Sequence, residues 1–230
     1  MISDVVLISV VAGLLALDDR AGWQSLLGEP VFVGLIVGAI THQMAAAMMA
    51  GVALQLVWFS IAAARGTRRP NTVVGGVVGI GAACLVLKTT GDTRVGFVVA
   101  AGVFFGLLAG EAGAVVSRAG GEIRERWLVG FRLPGTPEAA TRDLLARVVA
   151  SAAIVALVNA ASVLVMLPVA VGLGDALTGR LGGVSAGAEL WLNTLPAVAA
   201  VTVFTAFGNR ALGRYAALGL LVTLGVVWLL

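Results

Sequence analysis

Residues 29–79 read EPVFVGLIVGAITHQMAAAMMAGVALQLVWFSIAAARGTRRPNTVVGGVVG, a long apolar stretch with two polar interruptions. The first interruption is Thr41-His42-Gln43, and the second is a basic segment that ends at Pro70. The apolar stretch from Val31 to Ala64 is long enough for two helices. Polar side chains within a membrane segment usually face protein or a watery cavity. We therefore expect the three polar residues to mark a hairpin tip or a cavity wall.

The composition of the whole chain places it in a bilayer. Of its 230 residues, 60% are hydrophobic and only 12% are charged, and the mean hydropathy is +1.04. Soluble domains have about 25% charged residues. Closed barrels need alternating polar and apolar residues, whereas these runs are continuously apolar. A spanning helix needs roughly 20 residues. The sequence therefore predicts an all-α, polytopic membrane protein with about seven to nine membrane helices, including re-entrant or half-membrane hairpins.

The other apolar runs differ in length. Val5 to Leu17 would reach only about 20 Å as a helix, which suits a half-membrane or tilted segment. We expect Pro196 to kink one of the later helices and Asp175 to Gly187 to form a glycine-rich connection. The remaining predicted spans are Val73–Leu87, Val95–Val116, Val148–Leu173, Leu190–Phe207 and Tyr215–Leu230.

The predicted organisation is a single membrane domain over residues 1–230, with an N-terminal hairpin region at 1–72 and a polar connection at 117–147. Arginine is concentrated in that connection, and Lys and Arg are retained preferentially on the cytoplasmic side. We therefore expect the connection to be cytoplasmic and to contain interfacial helical pieces. Pro134, Gly135 and Pro137 exclude one continuous helix through it.

Glycines recur at four-residue spacing in several predicted helices. Small residues at this spacing let two helix backbones approach closely in lipid. The pattern favours tight helix packing, and a groove that lines a substrate path is the alternative. The residues concerned are Gly34 and Gly38, Gly75 and Gly79, and Gly102, Gly106 and Gly110.

The residue inventory excludes several chemistries. Cys84 and His42 are the only cysteine and the only histidine, so an intrachain disulfide and the usual metal clusters are ruled out. No catalytic constellation and no phosphate-binding loop stands out, so we expect no cofactor. The pI of about 10 reflects arginines confined to a few loops, which does not indicate a nucleic-acid partner. His42 is a candidate proton relay or sugar contact, or else a hydrogen-bonded structural residue.

The block from Pro30 to Pro70 resembles the membrane subunit IIC of the mannose/sorbose-type sugar phosphotransferase system. That family typically carries Arg-Pro, Gly-Asp, Gly-X-X-Leu-Glu-Leu and Pro-Asp steps within about fifty residues. The members that line up without a gap are Pro30, Gly51, Leu54, Leu56 and Pro70. Near the C-terminus, Leu195-Pro196-Ala197-Val198 and Leu218-Gly219-Leu220 are similar to two further steps of the family.

The charged positions of the signature are replaced. Gln43, Gln55 and Asn71 stand where the family usually has Asp, Glu and Asp, and Glu29 stands where it usually has Arg. Amides keep both donor and acceptor groups, but charge-assisted hydrogen bonds are roughly twice as strong as neutral ones. The resemblance therefore implies a substrate-binding site at Gln43, Gln55 and Asn71, with His42 beside it. The replacements indicate a weaker or different sugar site, or a subunit that no longer transports.

The resemblance also implies partners and a location. In this family IIC pairs with a second membrane subunit, IID, and the pair assembles into trimers in the bacterial inner membrane. A separate IIB subunit, which receives phosphate from IIA, phosphorylates the sugar. The chain would then be a sugar-translocating subunit without catalytic residues of its own. The alternatives are a degenerate IIC that acts as a membrane scaffold or regulator, and an unrelated small helical transporter.

Overall fold

A computed structural model of the chain describes residues 1–21, 26–65, 70–91, 94–129 and 137–180. These ranges form α1 (Ile2–Ala21), α2 (Pro30–Thr41), α3 (Met44–Arg65), α4 (Thr72–Thr90), α5 (Val95–Val129) and α6 (Pro137–Arg180). The predicted all-α membrane class is confirmed. Within the described ranges, three helices contain segments long and apolar enough to cross a membrane, namely Thr72–Thr90, Val95–Glu122 and Thr141–Arg180. The expected spans after residue 189 and the kink at Pro196 lie outside the described residues, so the total of seven to nine helices stays a prediction.

Helix α4 is the centre of the described structure. Every residue from Val73 to Leu87 is buried, and α4 packs against each of the other five helices. Its sequence is apolar or small on all faces, which is typical of a helix that other helices surround. The segments that carry the signature residues therefore pack around α4.

Helices α4 and α5 cross where glycines face each other. A Cβ atom added to Gly79 would lie 2.7 Å from the carbonyl oxygen of Gly102, and one added to Gly106 would lie 2.8 Å from that of Gly75. The two backbones are thus in direct contact, as small residues in membrane helices allow. The predicted close packing is confirmed at these four glycines. The neighbouring backbone fills the space, so they do not line a groove.

Helices α2 and α3 form a hairpin that lies against α4. Pro30 occupies the first turn of α2, where its missing N–H costs nothing. His42 ends α2 in the left-handed conformation with φ 60°. The break predicted at Thr41-His42-Gln43 is therefore confirmed. The 12 residues of α2 span about 18 Å, much less than a hydrocarbon core of about 30 Å.

The predicted bounds of three helices are wrong. Helix α1 extends beyond Val5–Leu17 at both ends, α5 continues past Val116 to Val129, and α6 begins at Pro137 rather than near Val148. Helix α6 also runs to Arg180, so the first part of the expected connection Asp175–Gly187 is helical. Apolar runs mark where a helix meets lipid, whereas Arg, Glu and Ala continue a helix well beyond it. The polar segment 117–147 is accordingly helical on both sides of residues 130–136.

Two polar contacts define one end of the helix bundle. The Lys88 ammonium lies 3.0 Å from an Asp4 carboxylate oxygen. The Arg94 guanidinium donates a hydrogen bond of 3.1 Å to the carbonyl oxygen of Thr178. The start of α1, the end of α4, the start of α5 and the end of α6 therefore share this end. Because α5 runs away from it, Ser117 to Val129 lies toward the opposite end.

Candidate functional site

The tip of the α2–α3 hairpin holds two of the predicted site residues. The His42 side chain is exposed, whereas the Thr41 hydroxyl is buried and donates a hydrogen bond of 2.8 Å to the Val37 carbonyl. The backbone N–H of Gln43 donates to Gly38 O at 3.2 Å. The Cys84 thiol lies 3.9 Å from the carbonyl oxygen of Gln43, which places the tip beside the second half of α4. The tip thus offers an exposed imidazole and a half-buried amide.

Gln55 lies on α3 beside the first turn of α2. Its Nε2 donates a hydrogen bond of 2.7 Å to Oε2 of Glu29. Its Oε1 is buried and has no donor among the described residues. The Glu29 side chain does not cap α2, although it lies at the N-terminal end of that helix, where negative charge is stabilised. The pair therefore presents one carboxylate and one unpaired carbonyl oxygen.

Asn71 is the centre of a buried polar network, which we call the asparagine cluster: Asn71, Ser117 and Asn159. The Asn71 Nδ2 donates to Ser117 Oγ at 2.7 Å and to Asn159 Oδ1 at 2.8 Å. Its Oδ1 accepts the N–H of Val74 at 3.0 Å, which makes Asn71 the N-cap of α4. All the hydrogen-bonding groups of the amide are thus engaged within the protein.

The asparagine cluster joins three helices through side chains that are almost fully buried. Asn71 and Ser117 are each 6% exposed, and Asn159 is 2% exposed. The backbone contributes as well, since the N–H of Asn71 donates to Gly110 O on α5 at 2.9 Å. Buried polar groups are costly unless they are hydrogen-bonded. The cluster therefore holds the first turn of α4 against α5 and α6.

The structure does not bring all of the predicted site residues together. Gln43 and Gln55 are twelve positions apart at the start and in the middle of α3, which corresponds to about 18 Å. Asn71 precedes α4, and Cys84, beside Gln43, lies thirteen positions later, or about 20 Å along the helix. One monosaccharide cannot span these distances. Gln43 is therefore separated from both Gln55 and Asn71, which lie nearer the start of α4, since Trp58, one turn after Gln55, lies beside Gly75.

Sequence reasoning missed Ser117 and Asn159. Asn159 is a single amide in the apolar run Val148–Leu173, and a polar residue in such a run usually faces protein. That signal points to a buried partner but does not identify it. Among the described residues, no group of three or more His, Cys, Asp or Glu side chains is arranged to hold a metal ion.

Comparisons with known proteins agree with the sequence signature. A family model described as the sorbose-specific IIC component of the PTS system matches residues 2–117, which is half of the chain. The matched region contains α1 to α4 and most of the membrane-spanning part of α5. Among curated proteins, none matches the chain significantly.

Proposed function

Because this chain belongs to the family of sorbose-specific IIC components of the phosphotransferase system, we propose that it carries sugar across a membrane by way of the Glu29–Gln55 pair. Members of this family are sugar-transporting membrane components. Three further points belong to the proposal. Sugar is bound by this pair, the substrate differs from that of typical members, and the protein lies in the bacterial inner membrane.

The hydrogen bond of 2.7 Å between Gln55 and Glu29 is the observation that carries the proposal. In the typical signature the position of Glu29 holds Arg and that of Gln55 holds Glu. Here the carboxylate is on α2 and the neutral side chain is on α3, so the pair still contains one negative charge. The acidic character that Gln55 lacks is therefore retained by its hydrogen-bonded neighbour.

The chemistry of the pair suits a ligand with hydroxyl groups. A buried acceptor without a donor costs about 1–3 kcal/mol, and Gln55 Oε1 is such an acceptor. A sugar hydroxyl can donate to this oxygen, while a second hydroxyl donates to the Glu29 carboxylate in a charge-assisted bond. Recognition through both residues selects for two neighbouring donors on the ligand.

The remaining predicted residues take other roles in this proposal. His42 and Gln43 form a second polar position at the hairpin tip, which a sugar contacts at another stage of its passage. Asn71 keeps its amide bonds within the asparagine cluster and positions α4. The chain transfers no phosphate itself; it works with a IID membrane subunit in a hetero-oligomer, while IIB and IIA supply the phosphate.

Sugar binding to the complete membrane complex tests the proposal. We would co-purify the chain with its membrane partner, reconstitute the complex in lipid and measure binding of several hexoses by calorimetry. Gln55→Ala and Glu29→Gln should each weaken binding about tenfold, which corresponds to about 1.4 kcal/mol. Gln43→Ala removes an amide from the second polar position instead, so a loss confined to Gln55→Ala and Glu29→Gln would assign the measured binding to the pair. Equal binding by the parent, Gln55→Ala and Glu29→Gln would disprove the role of the pair.

A scaffold without transport activity is the second candidate. The observation in its favour is that the Asn71 amide is fully occupied by protein groups, so one position of the signature has no capacity left for sugar. A stable complex that binds none of the hexoses would support this function over transport.

A further inference from the structure

An open pocket lies between α5 and α6, outside the Glu29–Gln55 pair and the hairpin tip. Two members of the asparagine cluster, Ser117 and Asn159, form its polar part. Gly121 leaves space on the α5 side, and Ile154 and Val158 supply apolar walls from α6. The pocket therefore combines a small polar region with an aliphatic surface.

The polar part of this pocket has unused donor hydrogens. Asn71 occupies Ser117 Oγ and Asn159 Oδ1 as acceptors. Asn159 Nδ2 uses one hydrogen in a bond of 2.7 Å to Val155 O. The second hydrogen of that amide and the hydrogen of the Ser117 hydroxyl have no acceptor in the described part of the chain. A ligand that binds this part of the pocket must therefore supply hydrogen-bond acceptors.

The depth of the pocket can be counted along two helices from the Arg94–Thr178 contact. Ser117 follows Val95 by 22 positions, or about 33 Å, and Asn159 precedes Thr178 by 19 positions, or about 28 Å. Both distances match a hydrocarbon core of about 30 Å. With Arg94 at one membrane interface, Ser117 ends the apolar part of α5 near the other, and Asn159 lies within the apolar run of α6, so the pocket lies just inside that interface. Arg118, the next residue after Ser117, is exposed and positively charged at this level.

We propose that this pocket binds a membrane phospholipid. The ester carbonyl oxygens accept the hydrogens of Ser117 and Asn159, and an acyl chain packs against Ile154 and Val158. Ester carbonyls are acceptors that carry no donor, and they occur at the depth of the pocket. Sugar hydroxyls fit less well, because they bring donors to a site whose acceptors are already occupied. The exposed Arg118 favours a lipid with an anionic headgroup.

Photocrosslinking in a bilayer tests the proposal. The full-length protein would be reconstituted in phosphatidylethanolamine with a phosphatidylglycerol tracer that carries a diazirine on one acyl chain. After irradiation, peptide mass spectrometry would locate the adducts. We expect adducts on α6 around Ile154 and Val158. Gly121→Leu should lower their yield about tenfold, equivalent to about 1.4 kcal/mol, because its side chain fills the pocket.

Matched variants separate pocket filling from general damage. A Cβ added to Gly121 meets no atom within 4 Å, and the same is true of Gly172, which lies on α6 away from the pocket. Gly172→Leu should therefore leave the adduct yield unchanged, and so should Gly121→Ala. If Gly121→Leu does not fold, Ile154→Phe narrows the pocket from the other helix and should give the same loss.

Three results would overturn the phospholipid site. The first is an adduct yield that stays within about twofold of the parent when the pocket is filled. The expected loss is about tenfold, which corresponds to about 1.4 kcal/mol. The second is an equal loss of adducts in Gly172→Leu. A residue away from the pocket would then matter as much as the pocket itself, and the adducts would come from bulk lipid. The third is displacement of the tracer by hexose, which would assign the pocket to sugar.

Discussion

Asn71, the N-cap of α4, and Asn159 on α6 share a hydrogen bond of 2.8 Å, although they are 88 positions apart in sequence. This bond depends on an amide at residue 71, because a carboxylate has no hydrogen to donate to the carbonyl oxygen of Asn159. The amide that replaces the family's usual acid is thus matched to a residue beyond the region of family similarity.

The first prediction is that Asn71→Asp destabilises the protein. Aspartate still caps α4, but it loses the two donor bonds to Ser117 and Asn159 and places two acceptors against each other. We expect a loss of about 1–3 kcal/mol, as for a buried group left without a partner. Thermal unfolding in detergent would measure it. Gln43→Glu is the control, since it makes the same chemical change at the half-buried hairpin tip; equal melting temperatures for both variants would contradict the prediction.

The second prediction concerns the Glu29–Gln55 pair. Gln55→Glu brings two carboxylates to hydrogen-bonding distance, where like charges disfavour ionisation of both. The variant should lose the charge-assisted bond, worth about 1.5–3 kcal/mol. Adding Glu29→Arg should restore stability by forming an ion pair. A double-mutant cycle on unfolding free energies would show this as a positive coupling, and additive losses would count against it.

The third prediction addresses the glycine crossing. Gly79→Ala places a methyl group against the α5 backbone, 2.7 Å from Gly102 O, where no side-chain movement can relieve the clash. Overpacking of this kind typically costs about 1–3 kcal/mol. Gly179→Ala is the control, because nothing lies within 4 Å of its added Cβ. Unfolding of the two variants, followed by circular dichroism, should differ clearly; similar curves would mean that the crossing is looser than described.

The fourth prediction is the orientation in the membrane. If Ser117 to Val129 faces the cytoplasm, as the arginine content predicts, the start of α1 faces outward. In a Cys84→Ala background, Ile2→Cys should react with an impermeant thiol reagent in intact cells, and Glu125→Cys should not. Both positions are exposed, with Ile2 at 80%. The reverse labelling pattern would invert the topology.

The sequence alone located the α2–α3 hairpin, because Thr41-His42-Gln43 interrupts an apolar run and a polar interruption limits where a membrane helix can turn. It did not locate the ends of α5 and α6. Helical hydrogen bonding continues through Arg, Glu and Ala residues that leave the apolar pattern, so Val116 marked a change of environment rather than the end of a helix.

The sequence alone was also insufficient to define the candidate site. The signature identified Gln55 and Asn71 as positions of interest, but it placed Gln43, about 18 Å or more away, in the same site and gave no partner for either residue. The partner of Gln55 is Glu29 and that of Asn71 is Asn159, and both partners approach only through helix packing. A linear pattern records which residues are replaced, whereas the compensating contacts depend on the fold.

The crossing of α1 with α6 has a consequence for the order of synthesis. Gly13 fits so closely against α6 that a Cβ there would lie 2.8 Å from the carbonyl oxygen of Ala156. Helices α4 and α5 are neighbours in sequence and can pack as soon as both have left the ribosome. Helix α1 makes only minor contact with α2, the next helix in sequence, and its main contact is with α6, which is translated much later. Helix α1 therefore reaches its native position only after α6 has been inserted.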